Sequence, residues 1–236
     1  MIEAEYSVPY LAHACMEPIN CTASVSSMSC EVWIPTQAQH QVQIAAAEAA
    51  GVSEDDVTVN TTFLGGGFGR RGETDMVTQA VLASRAVGRP VKITWSREED
   101  TRNDFYRPMA YGRLRAALDS NGNVTGWRHR IASPSILKRR ASFATFSGHD
   151  ITSVEGAANL PYQIPNQLIE YVMTETPVPV GFWRSVGSSQ NAFITESFVD
   201  ELAHAALQDP YTYRRELLVG KPRFQKVLDL AAEKAG

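Results

Sequence analysis

The stretch FLGGGFGRRGETD, Phe63 to Asp75, sets three consecutive glycines, a phenylalanine and a fourth glycine between two regular patterns. Upstream, VTVNTTF (Val57–Phe63) alternates apolar and polar residues with period two, the mark of a half-buried strand. Downstream, DMVTQAVLASRAV (Asp75–Val87) repeats its apolar residues at helical spacing, and Gly88 supplies the stop. A backbone that sheds its side chains between a strand and a helix presents bare N–H groups beside the positive end of the helix dipole. Either two backbones cross closely there or an anionic group is held there, and the glycines alone allow both.

Working outward, EVWIP (Glu31–Pro35) is a strand closed by proline, a helix follows over about Gln39–Ala50 with Gly51 behind it, and PVKITW (Pro90–Trp95) is a third strand. The order β-α-β-α-β, followed by a hairpin, predicts an α+β fold: a mixed β-sheet with helices packed on one face. In that hairpin YGRLRAAL and VTGWRHRIA flank DSNG (Asp119–Gly122), whose residues tolerate the positive φ of a tight turn. Periodicity fades between Ile131 and Pro161, where ASFATFSGHDIT (Ala141–Thr152) predicts an irregular loop or short helix. NQLIEYVMTETP (Asn166–Pro177) reads as extended, while VPVGFWRSVGSSQ (Val178–Gln190) is too rich in Gly, Pro and Ser to be regular. In NAFITESFVDELAHAAL (Asn191–Leu207) the residues Phe193, Ile194, Phe198, Leu202 and Ala205 share one helical face. Asp209 and Pro210 begin another helix by cap preference, and a last one covers about Pro222–Ala235. Two subdomains would divide near residues 105–130.

With 236 residues, 44% of them hydrophobic, the chain can bury a substantial core. A net charge of −4 and scattered Lys and Arg leave no basic stripe, which argues against nucleic acid as a partner. No run approaches the ~18 apolar residues of a membrane span, so no transmembrane segment is expected. MIEAEYSVPY lacks the regions of a signal peptide. The compartment stays open between bacterial cytoplasm and periplasm, with any membrane association made through partners. Cys15, Cys21 and Cys30 are odd in number and form no CxxC knuckle, so free thiols are favoured over zinc, for which His13 would be a fourth ligand, or over a disulfide.

The glycine loop is not a Walker A loop, since no Gly-Lys-Ser/Thr follows, and Arg70 stands where a dinucleotide fingerprint needs its third glycine. Gln37, at the end of WIPTQ, and Arg184, in GFWRSVGSS, each precede a helix. Taken singly, a glutamine there is a surface cap and an arginine there a solvated charge. If the sheet gathers these strand ends, a side-chain amide and several backbone N–H groups converge on one point.

Five motifs stand in order: AHACMEPINCTA (Ala12–Ala23), WIPTQ (Trp33–Gln37), GGGFGRR (Gly65–Arg71), WSREED (Trp95–Asp100) with YRP, and GFWRSVGSSQNAFITESFVDEL (Gly181–Leu202). The set resembles the molybdenum-binding large subunits of the xanthine dehydrogenase and aldehyde oxidase family, in the form of isoquinoline 1-oxidoreductase beta subunits and membrane-associated aldehyde dehydrogenases. The resemblance implies a molybdopterin cytosine dinucleotide cofactor whose molybdenum, held by the pterin dithiolene, carries oxo, sulfido and hydroxide ligands. It also implies oxidative hydroxylation of an aldehyde or N-heteroaromatic with water as the oxygen source. Gln37 matches the glutamine that hydrogen-bonds an oxo group. Gly66, Gly67, Phe68 and Gly69 match the loop whose amides face the centre, and Arg184 matches the position offering its backbone N–H to the cofactor. On that resemblance the glycines let amides reach the centre's oxygens without Cβ atoms in the way. The implied partners are a small iron–sulfur subunit carrying the clusters, and the second half of the molybdenum domain.

Departures from the family pattern bear on substrate and activity. Purine-oxidising members carry a glutamate where this chain has Gly72, with Glu73 one place beyond; their aromatic residue two places after the matching arginine is Val186 here; and TSVEGAANLPYQIPN lacks their substrate arginine. A purine is therefore disfavoured. The family's general-base glutamate lies in a Gly-rich segment that does not occur before LDLAAEKAG, so residues 1–236 read as the first half of the cofactor-binding region, inactive alone. The competing reading is a non-catalytic anion-binding or assembly domain that keeps the glycine loop for packing. Glu17, Asp75 and the REED cluster (Arg97–Asp100) read as structural or solvated, with Glu98, Glu99 and Asp100 in a turn, and Glu196, Asp200 and Glu201 as a helix's polar face. No HExxH or GxSxG spacing supports a hydrolase.

Overall fold

The alternation at Val57–Phe63 and the helical spacing at Asp75–Val87 both appear as regular elements in the computed structural model, which describes residues 1–145 and 148–236. The expectation for Ala141–Thr152 thus lies partly outside the described residues; within them stand a 3-10 turn at Ser142–Ala144 and a short helix at Ile151–Val154. In chain order the strands are β1 (Ile2–Val8), β2 (Asn20–Val25), β3 (Cys30–Ile34), β4 (Val57–Thr61), β5 (Val91–Thr94), β6 (Ala110–Leu118), β7 (Val124–Pro134) and β8 (Gln167–Thr174). The helices are α1 (Gln39–Ala50), α2 (Asp75–Val87), α3 (Arg97–Arg102), α4 (Ile136–Arg140), α5 (Ile151–Val154), α6 (Gly187–Ala205), α7 (Pro210–Leu217) and α8 (Pro222–Ala235). They fall into two compact units, one of residues 11–107 with 178–184, the other of residues 1–10, 108–177 and 185–236.

In the first unit the sheet order is β4-β3-β2-β5, with β3 and β4 parallel and the other pairs antiparallel. Alternation along the strands sends Cys21, Ala23, Cys30, Val32, Ile34 and Val57 to one face, where they meet Val42 and Ala46 of α1 and Met76, Val77, Ala80 and Val81 of α2. Glu31 and Trp33, one step out of phase, are exposed. Both helices therefore cover one face, as the sequence predicts. A further stretch joins this unit from far along the chain: Tyr106 N–H donates to Pro179 O at 3.0 Å and Gly181 N–H to Tyr106 O at 3.0 Å, which fixes Phe182–Arg184 as part of the unit.

In the second unit the sheet order is β1-β6-β7-β8, with β7 and β8 parallel. Leu114, Ala116 and Trp127 face Ile194, Phe198, Val199 and Leu202 of α6, and the Trp127 and Phe198 rings meet edge-on at 5.1 Å. Burying a side chain such as Phe198 contributes roughly 1.5–3 kcal/mol. Asp209 caps α7 by accepting from Thr212 N–H at 2.9 Å, with Pro210 just inside.

Three local readings are corrected. Strands β1 and β2 exist where no element is assigned from sequence, although Ile2, Ala4, Tyr6 and Val8 alternate; in β2 the inward residues are the small Cys21 and Ala23, a weak apolar signal. The REED cluster is helix α3 rather than a solvated turn. Ser96 accepts from Glu99 N–H, the acidic first turn suits the helix N-terminus, and Asp100 turns inward to 5% exposure. Ser96 thus caps the helix, while Glu99 Oε2 accepts from Asn103 Nδ2 at 2.9 Å. Helix α6 begins at Gly187, four residues earlier than the apolar stripe suggests, and a Cβ on Gly187 would lie 2.2 Å from Thr152 O. That glycine is therefore a close approach, not a helix breaker. Cys15, Cys21 and Cys30 are free and buried.

Candidate functional site

Each glycine of the loop is closely approached by an atom of the chain itself. A Cβ on Gly65 would stand 2.4 Å from Glu17 Cβ, one on Gly66 2.8 Å from the Phe68 ring, one on Gly67 2.6 Å from Gln37 Oε1, and one on Gly69 1.7 Å from the carbonyl oxygen of Phe182. Gly66 and Gly69 also sit at φ +101° and +109°, and Phe68 between them at +53°, a region costly for a side-chain-bearing residue. The glycines thus testify to tight packing inside the unit, and by themselves not to a ligand.

The loop's donors say something different. Gln37 Oε1 accepts from Gly69 N–H at 3.0 Å, so the amide NH2 of this exposed side chain is turned away from the loop and meets no acceptor among the described residues. Gly69, expected to face outward with its neighbours, therefore has its amide engaged within the chain. The N–H groups of Gly66, Gly67 and Phe68 have no acceptor among the described residues. The nearest carboxylate, Glu17, is already occupied: it accepts from Gly65 N–H at 2.9 Å, Asn20 at 2.8 Å and Arg71 at 3.1 Å. Burial raises the Glu17 pKa, but these donors outweigh it and hold the carboxyl below its usual range. What remains is a group of N–H donors with no competing anion, an arrangement suited to an oxyanion.

Beneath the loop lies a buried ionic network. Arg70, 2% exposed, grips Asp75 at the start of α2 through two bonds of 2.9 and 2.7 Å, and its Nε stands 3.1 Å from Asp104 Oδ1 as an ion pair without good hydrogen-bond alignment. The guanidinium also lies 5.7 Å from the Trp95 ring and 5.2 Å from the Phe105 ring. Asp104 in turn accepts from His13 N–H at 2.5 Å and faces its Nδ1 at 3.0 Å, while His13 Nε2 is 2.8 Å from Phe182 O. His13 thus pins the carbonyl that presses on Gly69. Arg71 ties the other side, donating to Glu17 O at 2.8 Å, while its own carbonyl accepts from Gln37 N–H at 3.0 Å and from the Thr36 hydroxyl at 3.1 Å.

Gln37 and Gly66–Gly69 are therefore brought together, and Gln37 is no helix cap, since Ala38 occupies that place. Arg184 is brought there too: its guanidinium lies 5.7 Å from the Phe68 ring and 5.5 Å from the Trp183 ring. Cys15 packs below, with Sγ 3.6 Å from Gly67 O and its thiol pushed up by burial. Sequence reasoning missed His13, Asp104 and Arg70, which act through partners as much as 169 residues apart. The only sign of them is that they fall in or beside the quoted motifs.

Compared with known proteins, residues 1–218 match the profile of the molybdopterin cofactor-binding domain. The chain is 33% identical over 208 residues to isoquinoline 1-oxidoreductase subunit beta of Brevundimonas diminuta, covering 87% of this chain and 26% of that protein. It is 29% identical over 236 residues to the membrane-bound aldehyde dehydrogenase (pyrroloquinoline-quinone) of Gluconacetobacter polyoxogenes, covering 94% and 30%. Among solved structures, aldehyde oxidoreductase from Desulfovibrio gigas superposes with a TM-score of 0.73 at 21% identity, over 91% of this chain and 23% of that one, a likeness of fold. The chain spans less than a third of the length of each. No helix among the described residues is long and apolar enough to cross a membrane.

Proposed function

The chain belongs to the molybdopterin cofactor-binding domain family, and from that premise we propose that it forms the glycine-loop half of the cofactor cradle in a molybdenum hydroxylase acting on an aldehyde or an N-heteroaromatic. The observation that carries this reading is the donor set: Gln37 NH2 and the amides of Gly66, Gly67 and Phe68, all without acceptors among the described residues, beside a Glu17 that is already engaged. Such a set fits an oxygen-rich anionic group and would repel none of its charge. When bound, the cofactor supplies two-electron oxidation with water as the oxygen source.

In this reading the chain's own residues bind and orient. Gln37, its oxygen locked on Gly69, has only hydrogens to offer and so donates to an anionic oxygen. The three free amides cost no reorganisation because the glycine packing holds them in place. Arg184 lies by the exposed Phe68 ring at the same end. The general base, the second half of the cradle and the iron–sulfur clusters would come from other polypeptide, and the cofactor form would be the cytosine dinucleotide. The 236 residues alone are then inactive.

One observation favours a second reading, a non-catalytic anion-binding or assembly domain: every loop glycine is already explained by the chain's own atoms. Coexpression with the sequence that follows it, in a host making the cytosine dinucleotide cofactor, separates the two. Purified protein holding stoichiometric molybdenum and oxidising an aldehyde or N-heterocycle to a dye supports the hydroxylase. Folded protein without molybdenum supports the alternative.

A further inference from the structure

The sheet β1-β6-β7-β8 buries one face under α6 and exposes the other, and four arginines stand at the centre of the exposed face. Arg113 lies directly opposite Arg130 and Arg115 directly opposite Arg128 across the β6–β7 ladder. Like charges in directly opposed cross-strand positions repel. Two stacked pairs of this kind therefore need negative charge nearby. The chain supplies part of it at the flanks. On one side Glu3 binds both Arg113 and Arg115, with Glu5 3.4 Å from Arg113; on the other Glu170 accepts from Arg128 at 2.6 Å and lies 3.6 Å from Arg130. That leaves four cations against three carboxylates.

The carboxylates draw the Nε edges of Arg115 and Arg128 outward. Each guanidinium has five N–H donors, and the amino groups of Arg128, like all donors of Arg130 apart from the 3.6 Å ion pair, find no acceptor among the described residues. Between the four arginines is a hollow of about 70 Å³ lined by Arg113, Arg115, Arg128 and Arg130 alone. Against roughly 30 Å³ per water molecule, it is large enough for a small anionic group.

We propose that this hollow is a binding site for a tetrahedral oxyanion, a phosphate or phosphate monoester group, distinct from the glycine-loop site. Guanidinium groups from two strands line the hollow and can meet the oxygens of a tetrahedral anion from several sides, whereas Glu170, with a single 2.6 Å bond from Arg128 Nε and 3.6 Å from Arg130, leaves donors of both arginines unmet. The site needs no backbone rearrangement, because β-sheet register fixes all four arginines. Neighbouring carboxylates compete with the ligand for the same donors, so Glu170 sets its affinity.

Titrating the 236-residue chain with inorganic phosphate, at constant ionic strength balanced with chloride, tests this by calorimetry and phosphorus NMR. Saturable one-to-one binding is expected, weakened roughly tenfold by Arg128→Gln or Arg130→Gln, the loss of one charge-assisted contact at an exposed site. Glu170→Gln frees donors and is expected to tighten binding several-fold, a gain that a damaged fold would not produce. Thermal melting establishes that each variant is folded. A linear, unsaturable response, unchanged affinity in folded arginine variants, or acetate competing as well as phosphate overturns the assignment.

Discussion

Replacing Gly69 by alanine should unfold or strongly destabilise the first unit, whereas the same change at Gly67 should leave it folded. At Gly69 the new Cβ would lie 1.7 Å from Phe182 O, so reaching even the 3.0 Å limit requires a separation of 1.3 Å (3.0 − 1.7) between two backbones. Movement of that carbonyl also breaks its 2.8 Å contact with His13 Nε2. Overpacking of this kind costs about 1–3 kcal/mol, a side chain at φ +109°, ψ −33° about 1–3 kcal/mol more, and the lost hydrogen bond about 1 kcal/mol. The total of ~3–7 kcal/mol rivals the 5–15 kcal/mol by which whole domains are stable. At Gly67 the clash is with Gln37 Oε1 at 2.6 Å, the far end of a flexible side chain, and no positive φ is involved. Its cost is a displaced Gln37, about 1 kcal/mol, with the Gly69 amide losing its partner. Urea unfolding of the two variants beside the parent chain, followed by Trp fluorescence, measures both. A Gly69→Ala chain within ~1 kcal/mol of the parent would mean that the Phe182 crossing is not as drawn, and with it the argument for the loop's shape.

Gln37→Ala, in a complete enzyme, should keep its molybdenum while turnover falls roughly ten- to a hundredfold, the effect of one charge-assisted hydrogen bond worth about 1.5–3 kcal/mol; unchanged turnover at full metal loading returns Gln37 to a packing role. The 236-residue chain by itself should show neither stoichiometric molybdenum nor dye-linked oxidation, and turnover from it would mean that the general base lies within residues 1–236. His129 is fully buried, neither ring nitrogen has a hydrogen-bond partner among the described residues, and burial pushes it down to about 4. The unfolded chain binds that proton near 6.5. Its contribution is therefore present above pH 6.5 and lost as pH falls toward 4, by up to ~3 kcal/mol at about 1.36 kcal/mol per unit. Urea midpoints at pH 4.5 and 7.5 should converge in His129→Leu relative to the parent, and an unaltered pH dependence sinks the assignment.

What the sequence showed and what it hid divide along a physical line. Period-two and helical spacing are local, so β3, α1, β4, α2 and β5 stand close to their sequence-read bounds. Gln37 and the glycine run could be singled out because strand ends before helices are where backbone donors collect. The network that shapes the loop could not, because its bonds join residues 91 and 169 positions apart and its members are ordinary in isolation: a histidine, an aspartate and an arginine with no spacing between them. The glycines show the same limit from the other side. Four in a loop announce that something passes close, and taken alone they leave open whether it is a ligand or the chain's own backbone. In the fold, the atoms passing close are Glu17 Cβ, the Phe68 ring, Gln37 Oε1 and Phe182 O, all internal. The case for a bound anion therefore rests on the hydrogen bonds the loop leaves unmade. Gln37 shows why the two are linked: Gly67 has no side chain so that Oε1 can reach Gly69, and only because Oε1 is held there does the NH2 face outward as a donor.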